Sequence, residues 1–80
     1  MPKTLGDARH EALIKLIIRK RKEAGFKQTD LANRMRVYQS LIARLESGER
    51  RVDVIELIRL GEILEFDASL AVRELMAIDT

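Results

Sequence analysis

The sequence predicts an all-α fold of about five helices in one small domain. Three observations carry this. Apolar residues recur at helical spacing, and alternating strand-like runs are absent. Proline occurs only at position 2, so no helix interior is interrupted by one. Glycine occurs at 6, 25, 48 and 61, and two of these, Gly25 and Gly48, stand where a periodic segment ends. Eighty residues leave room for a single domain, here taken as 1–80. A chain of this size without a disulfide or metal depends on closely packed helices or on oligomerisation.

The first helix is expected over about residues 7–24. Asp7 is its N-cap, Leu13, Ile17 and Ala24 form one stripe that Ile14 and Ile18 broaden, and Gly25 supplies the left-handed residue at its end. His10 reads as a surface residue near its start. The second helix runs from Gln28 to Met35, with Leu31, Ala32 and Met35 inward. The third runs from Gln39 to Glu46, with Ile42 and Leu45 inward, and Ser47-Gly48 stops it. Only Arg36-Val37-Tyr38 links these two, so they form a compact bihelical unit. The fourth helix opens with Asp53-Val54-Ile55-Glu56, the spacing of a capping box, and carries Leu57, Leu60 and Leu64 as its core stripe. Gly61 lies inside it at a cost of about 1 kcal/mol against Ala, which close contact with another helix explains. The fifth helix, residues 68–78, follows Asp67 as a second N-cap and bears Leu70, Val72, Leu75, Met76 and Ile78.

Composition excludes several classes. There is no cysteine, so a disulfide framework and Cys-ligated zinc or iron–sulfur sites are out. The single His10 leaves no His-rich metal site or catalytic triad. No apolar run approaches the ~18 residues that span a bilayer, and the opening Met1-Pro2-Lys3-Thr4 lacks the apolar stretch of a signal peptide. At 46% apolar residues the chain is not of disordered composition. A cytoplasmic domain with no cofactor and no membrane partner is expected. No nucleophile–base pair, metal cluster or phosphate-cradling glycine loop points to an enzyme.

The net charge of +2 conceals a division. Residues 1–52 hold 13 Lys/Arg against 6 Asp/Glu, a net +7; residues 53–80 hold 2 against 7, a net −5. Such polarity suggests that one half faces a polyanion and the other does not.

The run Phe26-Lys27-Gln28-Thr29-Asp30-Leu31-Ala32, followed by Val37-Tyr38-Gln39-Ser40-Leu41-Ile42-Ala43-Arg44-Leu45-Glu46-Ser47-Gly48, resembles the helix-turn-helix domain of phage repressors and Cro proteins, the XRE family. The resemblance covers about residues 9–70. It implies a compact lambda-repressor-like domain with helices two and three as the helix-turn-helix. It also implies a sequence-specific double-stranded DNA-binding regulator, acting as a homodimer on a palindromic operator. The physics agrees. The major groove of B-DNA admits an α-helix and presents a distinct donor–acceptor pattern for each base pair. The second helix of such a motif reaches base edges with its N-terminal residues. Gln39 and Ser40 therefore rank first as base readers, with Arg44 next, on a base or a phosphate.

By the same resemblance Gln28 binds a phosphate or braces the reader helix, and the first-turn amides of helix two face the backbone. Arg50 and Arg51 occupy a loop that commonly touches phosphate. Arg21 pairs internally with Glu46, and Arg19, Lys20 and Lys22 are weaker phosphate candidates. Tyr38 either offers its hydroxyl to a phosphate or packs its ring over the turn. Three departures stand out. Arg36 replaces the usual turn glycine, so either the turn differs or strain is tolerated. Lys27 and Tyr38 replace the usual helix caps, at about 0.5–2 kcal/mol each, and the departures together add two DNA-facing cations. Helix five either forms the dimer surface or completes the core. Similar small proteins serve as antitoxins bound to a toxin, or control restriction–modification genes. An adaptor binding acidic protein or RNA through its basic face is the alternative from another class.

Overall fold

The structure is a computed structural model and describes residues 8–79. Five helices follow in order: α1 (Ala8–Glu23), α2 (Gln28–Met35), α3 (Gln39–Glu46), α4 (Val54–Leu64) and α5 (Ala68–Met76). No strand occurs among the described residues. The expected N-cap Asp7 lies outside them.

Helix α1 is the central element, packing against α3, α4 and α5, while α2 lies mainly against α3. Among the described residues thirteen apolar side chains form one core, and Ile17, Leu31, Ile42, Leu45 and Leu60 are fully buried at its centre. Each such side chain contributes about 1.5–3 kcal/mol of burial free energy. The expected inward residues of α2, α3 and α4 are all buried.

Helix α1 differs from expectation at both ends. His10 is buried, at 7% exposure, because it shares the inward face with Leu13, Ile14 and Ile17 at the i, i+3, i+4 and i+7 positions. Ala24 is exposed, because the helix stops at Glu23 and the chain turns away at Gly25. Leu16, not Ala24, completes the stripe. The turn is a Schellman motif: the Gly25 N–H donates to the Lys22 carbonyl and the Phe26 N–H to the Arg21 carbonyl, both at 3.0 Å. The same exit recurs after α2 and α3, with Arg36 and Gly48 in the left-handed region; after α4, left-handed Glu65 and the next residue, Phe66, both donate to the Gly61 carbonyl.

Both acidic N-caps take the expected roles. Asp53 Oδ1 accepts from the Glu56 N–H at 2.7 Å, and Glu56 Oε1 accepts from the Asp53 N–H at 3.2 Å. Asp67 Oδ1 accepts from the Ser69 and Leu70 N–H groups and from the Ser69 hydroxyl. Those donors, the Ser69 hydroxyl foremost, hold the Asp67 carboxyl below its ordinary pKa. Gly61 is buried where the chain returns on itself. A Cβ there would stand 2.7 Å from the Phe66 carbonyl oxygen and 3.5 Å from the Ala68 Cβ. The close neighbour is thus the α4–α5 turn as well as the first residue of the next helix.

Helix α5 gives the core only Ala71 in full, with Leu75 packed at its edge. Leu70, Val72 and Met76 are exposed, and Ile78 lies beyond the helix end. The Arg9 guanidinium donates to the Ile78 carbonyl at 3.1 and 3.2 Å and to the Met76 carbonyl at 3.4 Å. A cation at this position satisfies and complements the negative end of α5. Val54, Ile55 and Ile58 form a second exposed apolar face, on α4.

Candidate nucleic-acid interface

Helices α2 and α3 are held together from below and closed by a tight turn. Arg36 adopts φ 60° and ψ 45°; its N–H donates to the Asn33 carbonyl and the Val37 N–H to the Ala32 carbonyl. The chain therefore accepts left-handed strain at a non-glycine residue, at roughly 1–2 kcal/mol. Of the two expectations for this turn, it is the tolerated strain that the structure has. Arg59 on α4 donates to the Met35 carbonyl at 2.8 Å and ties down the end of α2.

Burial of Ile42 and Leu45 fixes the rotation of α3, so Gln39, Ser40 and Arg44 are exposed on the opposite face with half-exposed Ala43 between them. Tyr38 precedes them at 82% exposure. At that exposure its ring is not packed over the turn. Neither Lys27 nor Tyr38 caps its helix with a side-chain hydrogen bond. At the start of α2, Asp30 Oδ2 instead accepts from the Lys27 N–H at 2.8 Å, which turns the one acidic side chain of that helix toward its own N-terminus.

The expected Arg21–Glu46 pair is present and nearly buried, at 11% and 6% side-chain exposure. Arg21 Nε donates to Glu46 Oε2 at 2.6 Å, Nη2 to Oε1 at 3.0 Å, and Nη1 to the Phe26 carbonyl at 2.8 Å. Gln28 Nε2 donates to Glu46 Oε1 at 2.9 Å, and Gln39 Nε2 donates to Gln28 Oε1 at 2.7 Å. Gln28 thus bridges α2 to the first residue of α3.

The two loop arginines part company. Arg51 is exposed. Arg50 forms a bidentate pair with Glu56, both distances 3.0 Å, and also donates to the Leu41 and Arg51 carbonyls. Of its five donors one N–H is left for a phosphate. In the sequence Glu56 is legible only as a capping-box residue; the same carboxylate also holds Arg50. Arg19 and Lys20 lie beside Glu23, at 3.8 and 3.6 Å, on the exposed side of α1. Arg34 stacks over the Phe26 ring, 5.0 Å from its centroid. Among the described residues no group of His, Cys, Asp and Glu is arranged to hold a metal ion, and no helix is long and apolar enough to cross a membrane.

Two short helices in this arrangement, braced by a buried ion pair and presenting an uncapped polar face beside exposed cations, define a helix-turn-helix domain. A helix-turn-helix family model matches residues 17–69. The chain is 34% identical to an XRE-family like protein from Pseudomonas syringae pv. tomato str. DC3000, over 91% of this chain and 89% of that one, with a TM-score of 0.81. It belongs to the XRE family of helix-turn-helix DNA-binding transcription regulators. The clp gene regulator ClgR from Corynebacterium glutamicum shares the fold, with a TM-score of 0.75 at 23% identity over 88% of this chain and 74% of that one. No curated protein matches the chain.

Proposed function

We propose that the chain is a sequence-specific regulator that lays α3 in the major groove of double-stranded DNA, as a dimer on a palindromic operator. One observation carries the reading: Gln39, Ser40 and Arg44 share the outward face of a helix whose inward residues, Ile42 and Leu45, are fully buried. The groove-facing residues are therefore set by the core and cannot rotate away. Gln pairs with adenine and Arg with guanine through two hydrogen bonds each, giving ~1–3 kcal/mol of discrimination. Exposed Lys27, Tyr38 and Arg51 flank this face and position it on phosphates, with Gln28 and Arg50 in bracing roles. Exposed Leu70, Val72 and Met76 on α5 supply the apolar surface for a second copy.

Selection from a random duplex library tests the reading. The expected outcome is a motif with two inverted half-sites about one turn apart. Uniform, salt-sensitive binding with no enriched motif would overturn it and favour an adaptor for polyanions. Gln39→Ala is expected to relax preference at particular base pairs. Arg51→Ala is expected to weaken every duplex and to lower the salt slope by about one.

A further inference from the structure

Four polar side chains form an unbranched chain from the protein interior to the reading surface: Arg21, Glu46, Gln28 and Gln39. Each end has a different character. Arg21 can only donate, and an ionised Glu46 held by it on both oxygens can only accept. Gln28 must then turn its NH2 toward Glu46, which leaves its oxygen facing Gln39. Gln39 must in turn offer its NH2 to that oxygen. A glutamine amide on its own has two nearly equivalent orientations, with donor and acceptor exchanged. Here only one of them satisfies every link.

We infer that Glu46 is a positioning residue for base recognition: through Gln28 it fixes which end of the Gln39 amide donates and which accepts. With one N–H committed to Gln28, Gln39 retains one N–H and its oxygen. That is the donor–acceptor pair complementary to the N7 and N6 groups of adenine in the major groove. If the amide turned over, the same contact points would carry the reversed pattern, and the adenine edge would face donor against donor. The ion pair therefore holds more than the fold together. It also sets a specificity that is read two hydrogen bonds away, by a residue that Glu46 itself does not bond. The inference rests on the reading of Gln39 as a base contact.

The test compares Glu46→Gln, Gln28→Leu and Gln39→Ala in two measurements. The first is duplex selection. Gln39→Ala identifies the base pair that Gln39 reads. Glu46→Gln and Gln28→Leu are each expected to lower the preference at that same base pair by at least about fivefold, and to leave the other positions unchanged. Arg21→Lys keeps a cation on an ionised Glu46 and is expected to retain the preference. The second measurement is the side-chain amide resonance of Gln39 in the ¹⁵N-labelled protein without DNA. Glu46→Gln is expected to shift it even though the two residues make no hydrogen bond to one another. If Glu46→Gln does not fold, Glu46→Asp takes its place; it keeps the charge but withdraws the acceptor from Gln28. An unchanged preference in a folded Glu46 variant, or uniform weakening at all sequences with the Gln39 resonance unmoved, would overturn the inference. If Gln39→Ala relaxes no base pair, the base-contact reading fails; the resonance measurement then decides the hydrogen-bond chain independently.

Discussion

Arg36 and Glu65 hold the left-handed conformation, at φ 60° and 61°, that a glycine adopts without strain. Arg36→Gly and Glu65→Gly are each expected to raise stability, by up to about 1 kcal/mol after the added freedom of the unfolded chain is subtracted. Urea melts check this; a fall in midpoint would show that the side chains contribute more than the backbone loses. At Glu46 the sign reverses. Glu46→Ala leaves the Arg21 guanidinium nearly buried without its partner and is expected to cost ~3–5 kcal/mol. The sequence showed the Arg36 departure and the Arg21–Glu46 pair because both fall on motif positions. It did not show the Arg50–Glu56 pair, because a carboxylate in a capping box already has a local explanation. Nor did it show that His10 is buried, since one polar residue on an otherwise apolar stripe reads equally well as its edge.

The boundaries of α2 and α3 were legible to the residue, because a buried apolar pair and a stop signal constrain each short helix. Helix α1 was legible in its middle and less so at its end, where Ala24 fits the apolar period but lies in the Schellman turn. Helix α5 was the least legible. Its apolar residues exceed what its packing face can bury, so pattern alone does not separate core from surface, and small Ala71 takes the central place. Two predictions belong here. Gly61→Ala places a Cβ 2.7 Å from the Phe66 carbonyl oxygen, a backbone atom at the α4–α5 turn, and is expected to cost about 1–3 kcal/mol in a denaturant melt. At the start of α5, the lowered pKa of Asp67 means that folding favours its ionised form. That contribution is full above the unfolded value of about 3.9 and is lost as pH falls toward the folded value. Asp67→Asn keeps a good N-cap residue and is expected to flatten this part of the acid limb. An acid limb identical to that of the parent chain would contradict the assignment.

Across the whole molecule the charge division follows the architecture. The +7 part comprises α1 to α3 with the loop that follows, and the −5 part comprises α4 and α5. The structure refines the count. Arg21 and Arg50 are paired with carboxylates and Arg59 holds the end of α2, whereas Lys27, Arg36, Arg44 and Arg51 remain exposed. Arg50→Ala is accordingly expected to lower the salt slope of binding less than Arg51→Ala, since the Arg50 charge is already offset by Glu56. Titrating the ¹⁵N-labelled protein with its selected duplex reports which face of the domain meets DNA, and so decides whether α3 enters the groove. Backbone and side-chain resonances are expected to move at Lys27–Gln28, Tyr38–Arg44 and Arg51, while those of Glu62, Glu65 and Glu74 stay in place. Shifts centred on α4 and α5, with Gln39 and Ser40 unmoved, would contradict it.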